Sequence, residues 1–255
     1  MLQVCLNGPR GSADGAMVPL TPQAMAESAA RAVAAGATDL HVHPKSPCGH
    51  DSLSPRVLAP TLEAIKARVP VPVGVTTGAW AEPDAATRLM GVPPRERIRA
   101  WGRIRSWTGL PGLPDHASVN WHEEGAEEIA AALIELRVGV EAGICWSGTD
   151  GAARFAVSPL GPRVLRVLAE VTDTSADTAE DTARVLLSGL GSAHGRPVLL
   201  HGEDGGAWPV LRLAGRLGLA TRIGLEDTLL LPDGQRARSN AQLVTAALDQ
   251  YGSRS

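Results

Sequence analysis

Lysine is almost missing from the 255 residues, with Lys45 and Lys66 the only two, and aromatics are scarce, with one Tyr and one Phe beside six Trp. A core without aromatics has to be assembled from Ala, Val, Leu and Ile, and the tryptophans then read as helix–barrel packing rather than chemistry. Cysteine is equally sparse: Cys5, Cys48 and Cys145 are an odd, widely spaced set with no CxxC pair. That excludes a disulfide framework and reads as reduced thiols. A formal net charge of −3 gives no reason to expect nucleic acid or an anionic membrane as partner. No apolar run approaches the ~18 residues of a membrane span, and no basic-plus-apolar opening resembles a signal peptide. A soluble, cytoplasmic protein is expected. There is no linker, low-complexity tract or composition shift, so residues 1–255 read as a single domain.

What is present is a rhythm. Short apolar, β-branched runs alternate with helical sequence: LQVCLN, TDLHVH, VPVGVTTG, HASVNW, RVGVEAG, VLRVLAEV, RPVLLHG and ATRIGLED. The run VLRVLAEV is equally compatible with helix. The first helix has clear ends. Thr21 suits the N-cap, Pro22 the first turn, and Gly36 the stop. Eight units in 255 residues average about 32 residues each, the size of βα units closed into a (β/α)8 TIM barrel. A doubly wound open sheet would want a glycine-rich phosphate turn after its first strand. GPRGSADG stands there and lacks GxGxxG.

Barrel chemistry sits at the carboxyl ends of the strands. Reading those ends in order gives Asn7 and Arg10, His41 and His43, Thr76 and Thr77, Asn120, Glu141, His201 and Glu203, then Arg222, Glu226 and Asp227. The pair His41-x-His43 is the sharpest signal. Residues two apart on a strand share a face, and two imidazoles on one face suit a metal such as zinc. A catalytic zinc takes three protein ligands and keeps a position open. Glu226 fits best as the third, because only strand 1 separates strand 8 from strand 2 around a closed barrel; His201 and Glu203 are the reserves. Asp227 could instead be an N-cap for the last helix. His50, His116, His122 and His194 read as loop residues without a role.

The stretches NGPR, LHVHP, VGVTTGAW, VEAG and above all TRIGLEDTLLLPDGQRARSNAQLV resemble the β-keto acid cleavage enzyme family over essentially the whole chain. The resemblance implies a zinc-containing TIM barrel with metal ligands at His41, His43 and Glu226, a catalytic aspartate at Asp227 and an arginine at Arg222. A family serine falls on Thr76, which keeps the hydroxyl. An acidic residue that faces the substrate amine in the 3-keto-5-aminohexanoate enzyme is replaced by Arg10, which favours an anionic or neutral substrate tail. The implied reaction condenses a β-keto acid with acetyl-CoA to give acetoacetate and a new acyl-CoA, and the implied assembly is a homotetramer. Thr77, Asn7, Asn120 and Glu141 are candidate substrate-side residues, with Glu141 also suited to orient a ligand histidine. Arg95, Arg99 and Arg103 read first as a solvated helix face, with Arg95 alone a candidate for CoA phosphate.

Two other readings remain at this level. An amidohydrolase-type metal hydrolase also opens with HxH, but after its first strand, and it needs later His and Lys ligands for which this chain has no convincing set. A barrel that binds a metal or acyl ligand without turnover is the second, and the presence of Asp227 speaks against it.

Overall fold

The computed structural model describes residues 1–15, 17–78, 81, 104–146 and 150–252. The segment carrying Arg95, Arg99 and Arg103 lies outside them. Eight parallel strands close into one barrel in sequence order: β1 (Leu2–Cys5), β2 (Asp39–Val42), β3 (Val73–Thr76), β4 (His116–Asn120), β5 (Gly139–Cys145), β6 (Arg166–Val171), β7 (Val198–Gly202) and β8 (Ala220–Ile223). β1 pairs with β8 through Gln3 and Arg222, which closes the ring. The described α-helices are α1 (Pro22–Ala34), α2 (Pro55–Lys66), α3 (Ala126–Glu135), α4 (Gly151–Ala156), α5 (Ala179–Gly189), α6 (Ala207–Leu217) and α7 (Asn240–Gly252).

The eight apolar runs all form strands. β6 is one of them, because Val167, Leu168, Ala169 and Val171 are buried in a sheet element paired on both edges, Ala169 opposite Ile144 on β5 and Leu200 on β7. Local sequence could not separate strand from helix there, and the flanking strands decide it. α1 begins as its sequence indicates: the Thr21 hydroxyl accepts from Ala24 N at 3.2 Å, and Gly36 leaves the helix at φ +115°.

Strand alternation divides the molecule into two environments. Outward residues such as Val4, Leu40, Val42, Val73, Val75, Ala117, Val119, Val140 and Ile223 are buried beneath the helices, with Trp107, Trp121, Phe155 and Trp208 filling the outer layer. Trp146, just after β5, is 40% exposed. The hydrophobic core therefore lies between the strands and the helices.

The inward residues are mostly polar. At the amino-terminal end of the barrel they form a closed set. Gln3 Nε2 donates to Asp39 Oδ1 (2.9 Å) and Glu141 Oε1 (3.1 Å), and Arg166 donates to Glu141 (2.6 Å) and Asp39 (3.0 Å). His116 places Nε2 3.0 Å from Asp39 and Nδ1 3.0 Å from Glu141, the latter an ion-pair contact without an aligned hydrogen bond. Burial by itself would lower the His116 pKa, but the Glu141 and Asp39 carboxylates raise it to about 9. Two carboxylates thus face a guanidinium and an imidazolium, and the floor is neutral. Gly74 makes room for it, since a Cβ there would collide with the His116 ring.

Two sequence expectations are corrected by this floor. His116 is the buried first residue of β4 rather than a loop residue, and Glu141 lies in the floor rather than at the mouth. β5 runs on to Cys145, so its carboxyl end is four residues further along than its first acidic residue suggests.

Candidate metal centre

The opposite end of the barrel opens into a cavity of about 580 Å³ whose lining includes His41, His43, Thr76, Arg222, Glu226 and Asp227. The alternation of β2 brings both imidazoles inside, with ring centroids 5.3 Å apart and planes at 71°. Glu226 arrives from the turn after β8. Gly224 passes so close to the Cys5 backbone that a Cβ would collide with it, and Asp227 N and Thr228 N both bond back to Gly224 O at 3.0 Å. Asn240, at the end of the A-x-S-N motif, accepts from Leu225 N (2.8 Å) and donates to Leu6 O (2.8 Å). The motif's asparagine thus pins the β8 turn onto β1. Gly8, at φ +56°, packs flat on the Glu226 side chain, where a Cβ would collide.

His41 Nε2 stands 4.0 Å from Glu226 Oε2, and His43 Nε2 stands 3.5 Å from Glu226 Oε1. One donor atom from each of the three residues lies within 4.8 Å of the others. Donors of one tetrahedral zinc stand roughly 3.3 Å apart, from bonds of ~2.0–2.1 Å. The spacing, the two-imidazole-plus-carboxylate set and the buried, unpartnered Glu226 Oε2 fit a zinc-like divalent ion. Burial lowers the His41 pKa to about 3, with the Glu226 carboxylate only partly opposing it. His43 feels the same burial, but Glu226 and the hydrogen bond its ring donates to Asp51 raise it to about 9. An imidazolium between two carboxylates stands where a cation would, and metal binding would displace its proton. Glu226 in turn is opposed by its own burial, yet Arg222, His43 and His41 hold it well below the usual carboxylate range.

Arg222 organises the acidic pair. Its Nε donates to Asp227 Oδ1 at 2.9 Å and its Nη2 to Glu226 Oε1 at 3.0 Å. One oxygen of each carboxylate is thereby held, while Asp227 Oδ2 and Glu226 Oε2 are buried without a hydrogen-bond partner. Unsatisfied buried polar atoms are expensive and rare. Glu226 and Asp227 both line the cavity, so their unpartnered oxygens mark a place prepared for a ligand.

Each imidazole also has a carboxylate behind it. Asp51 Oδ2 sits 3.0 Å from His43 Nδ1, and Glu141 Oε2, rising from the floor, sits 4.0 Å from His41 Nδ1. Other candidate residues divide by where their polar atoms go. Thr76 and Asn120 line the cavity, with the Asn120 amide donating to Glu123 at 2.9 Å. Thr77 donates its hydroxyl to Ser118 O (2.6 Å), and Asn7 spends its amide on Pro19 O and on both backbone groups of His43. Arg10 lines the cavity but is engaged by Glu226 O, by Asp204 at 3.2 Å and by Asp14 at 3.6 Å. His201 is buried beside Asp227 (3.4 Å), outside the three-residue group.

Sequence reasoning missed Asp51, Ser118, Cys145 and Glu170. The inward alternation His116, Ser118, Asn120 on β4 and Arg166, Leu168, Glu170 on β6 was the available signal for two of them. Cys145 donates to Glu170 at 3.3 Å, and burial, then the neighbouring Glu170, raises the Glu203 pKa to about 8, so that wall of the cavity carries a neutral carboxylic acid at pH 7.

The sequence profile of the beta-keto acid cleavage enzyme family matches residues 1–145 and 161–253. No curated protein matches the chain. Among solved structures, the apo form of ObcA superposes with a TM-score of 0.63 at 16% identity, covering 91% of this chain and 61% of that one. A ternary complex of ObcA with a C4-CoA adduct and oxalate gives 0.64 at 17% identity, covering 91% and 63%. The type I 3-dehydroquinate dehydratase of Clostridium difficile gives 0.60 at 11% identity, covering 100% and 93%. The chain spans about three fifths of the length of ObcA. At these identities the likeness is one of fold.

Proposed function

The chain belongs to the beta-keto acid cleavage enzyme family, and from that premise we propose that it is a zinc-dependent enzyme that condenses a β-keto acid with acetyl-CoA to give acetoacetate and a new acyl-CoA. The observation that carries the reading is the Arg222 clamp, which leaves Glu226 Oε2 bare 4.0 Å from His41 Nε2, with Oε1 3.5 Å from His43 Nε2, and leaves Asp227 Oδ2 bare as well. The ObcA complex with a C4-CoA adduct supports a CoA thioester as the second substrate.

His41, His43 and Glu226 would hold the ion, which when bound supplies Lewis acidity toward the keto oxygen and so acidifies the carbon between keto group and carboxylate. Asp227 takes that proton through Oδ2, while Arg222 fixes the carboxylate plane through Oδ1. The resulting enolate carbon forms a bond to the thioester carbon of acetyl-CoA, and the CoA thiolate leaves. The thiolate then adds to the substrate's own keto carbon. Cleavage of the adjoining C–C bond releases the new acyl-CoA and the enolate of acetoacetate, to which Asp227 returns the proton. The Thr76 hydroxyl, which accepts from Gly78 N at 3.1 Å, keeps its hydrogen to donate to the substrate carboxylate or to an oxyanion. Arg10, its charge balanced by Asp14 and Asp204, serves as a tie between loops. A neutral tail is therefore favoured over an anionic one, facing Asn120 and the Glu203 carboxyl.

The test is acetoacetate formation over a panel of β-keto acids with neutral, anionic and cationic tails, each with and without acetyl-CoA. We expect CoA-dependent turnover of a neutral-tailed acid, and an Asp227→Asn variant that keeps zinc but loses about 10²–10⁴ in rate, the usual contribution of a positioned base. Equal rates would remove Asp227 from the chemistry, and hydrolysis without CoA would replace the reaction with that of a metal hydrolase. Zinc bound without turnover on any acid would make the chain a binder.

A further inference from the structure

The two candidate imidazole ligands are supported unequally, and the loop after β2 is the reason. Residues 44–52 fold back as a small antiparallel hairpin: Ser52 N bonds to Pro44 O at 2.9 Å, Ser46 N to His50 O at 2.8 Å, and Gly49 turns the chain at φ +81°. The hairpin returns Asp51 to His43, eight residues earlier, with Oδ2 3.0 Å from Nδ1. The other Asp51 oxygen accepts from Lys45 Nζ. Lys45 is buried, and the same Nζ donates to Gly8 O at 2.7 Å. Gly8 is the residue that lies against the Glu226 side chain. His41 has no equivalent support, since its Nδ1 makes no hydrogen bond.

We propose that Lys45 and Asp51 are positioning residues that preset the metal centre, Asp51 by holding the His43 ring so that Nε2 faces Glu226, and Lys45 by tying Asp51 to the Gly8 backbone that backs Glu226. This rests on the metal reading of the site. The chemistry is general: a ligand imidazole is oriented and made more basic by an acceptor on its second nitrogen, and loss of that acceptor weakens metal binding about 10–100-fold. The lysine is needed because a buried carboxylate with only an imidazole partner would carry uncompensated charge. One of this chain's two lysines is thereby assigned a role that a solvated side chain could not fill. The brace acts on two ligands through one ion pair, so its two members form a unit.

The experiment is zinc affinity, measured by competition with a chromophoric chelator, for the wild-type chain, His43→Ala, Asp51→Asn, Asp51→Ala, Lys45→Met and the double variant Asp51→Asn/Lys45→Met. Thermal unfolding monitors each fold, and the visible spectrum of the cobalt-substituted protein monitors ligand geometry. Asn keeps an acceptor oxygen, so Asp51→Asn is expected to weaken zinc about 10-fold and Asp51→Ala about 100-fold, both with an altered cobalt spectrum. Lys45→Met should weaken zinc in proportion, and the double variant should be no worse than its weaker single variant, as members of one unit behave. Wild-type affinity and spectrum in the Asp51 variants, with zinc lost in His43→Ala, would overturn the brace alone. Failure of the wild-type chain to bind zinc would overturn the metal reading and the brace with it. Should Asp51→Ala not fold, the graded comparison of Asp51→Asn with Lys45→Met decides the matter in the same terms.

Discussion

The two ends of the barrel interior are built from the same kinds of residue and treat them in opposite ways. At the floor, Asp39 and Glu141 meet Arg166, His116 and Gln3 at 2.6–3.1 Å, and the charges sum to nothing. At the mouth, Glu226 and Asp227 share a single arginine, and each keeps a buried oxygen with no hydrogen-bond partner. His201, beside Asp227, likewise has ring nitrogens without a hydrogen bond, while the bare Nδ1 of His41 is turned to the floor's Glu141 at 4.0 Å. Composition alone would not distinguish the ends; charge pairing does. The two floor atoms without an aligned hydrogen bond, His116 Nδ1 and Glu141 Oε2, face each other at 3.0 Å as an ion pair, whereas Glu226 Oε2 faces only a His41 imidazole whose pKa is lowered to about 3. A buried polar cluster that is complete serves the fold, and one left incomplete is waiting for something to complete it.

That contrast can be broken most forcefully at the floor. Arg166→Leu strips the guanidinium from two buried carboxylates and should destabilise the chain by about 3–5 kcal/mol, read by denaturant unfolding. A loss below 1 kcal/mol would mean the floor is not a structural ion cluster. The next effect is a pH dependence. His116 has its pKa raised to about 9, so its stabilisation is complete below the ordinary value near 6.5 and is lost as pH rises through about 9. The decline that His116 contributes between pH 7 and pH 10 is on the order of 3 kcal/mol, and His116→Asn should remove that share while leaving the share of His43, whose pKa is likewise raised to about 9. An unchanged slope in that variant would move the titration elsewhere. Smallest is Arg10→Gln at the rim of the mouth. Asp204 is largely exposed and the pair is open to solvent, so stability should change by about 0–1 kcal/mol while the tail preference of the substrate panel shifts little. A large loss of activity on an anionic-tailed acid would restore Arg10 as a substrate contact.

Sequence reasoning reached the mouth better than the floor, for reasons visible in particular residues. His41 and His43 were legible because period-two alternation needs only a strand. Glu226, Asp227 and Arg222 were legible through the closing motif, whose glycine and asparagine do the folding work at Gly224 and Asn240. All eight strands followed from short apolar runs, β6 least plainly, since only its neighbours make it a strand. Glu141 and His116 were misread because depth along a barrel strand depends on where pairing starts and stops, which no local pattern reports. Asp51 could not be found at all: its partnership with His43 exists only because a hairpin closes between them. Thr77 and Asn7 show the same limit from the other side, as polar groups at strand ends whose bonds turn out to be spent on backbone.

The central claim is that the incomplete end of the barrel is a metal centre made by His41, His43 and Glu226. Zinc-edge X-ray absorption on the purified chain, combined with metal analysis, tests it most directly. The prediction is one zinc per chain with two imidazole nitrogens and a carboxylate oxygen among its donors, absent from His41→Ala and Glu226→Ala. A chain that takes up no zinc, or a zinc whose donors are unchanged when His41 or Glu226 is removed, would contradict it.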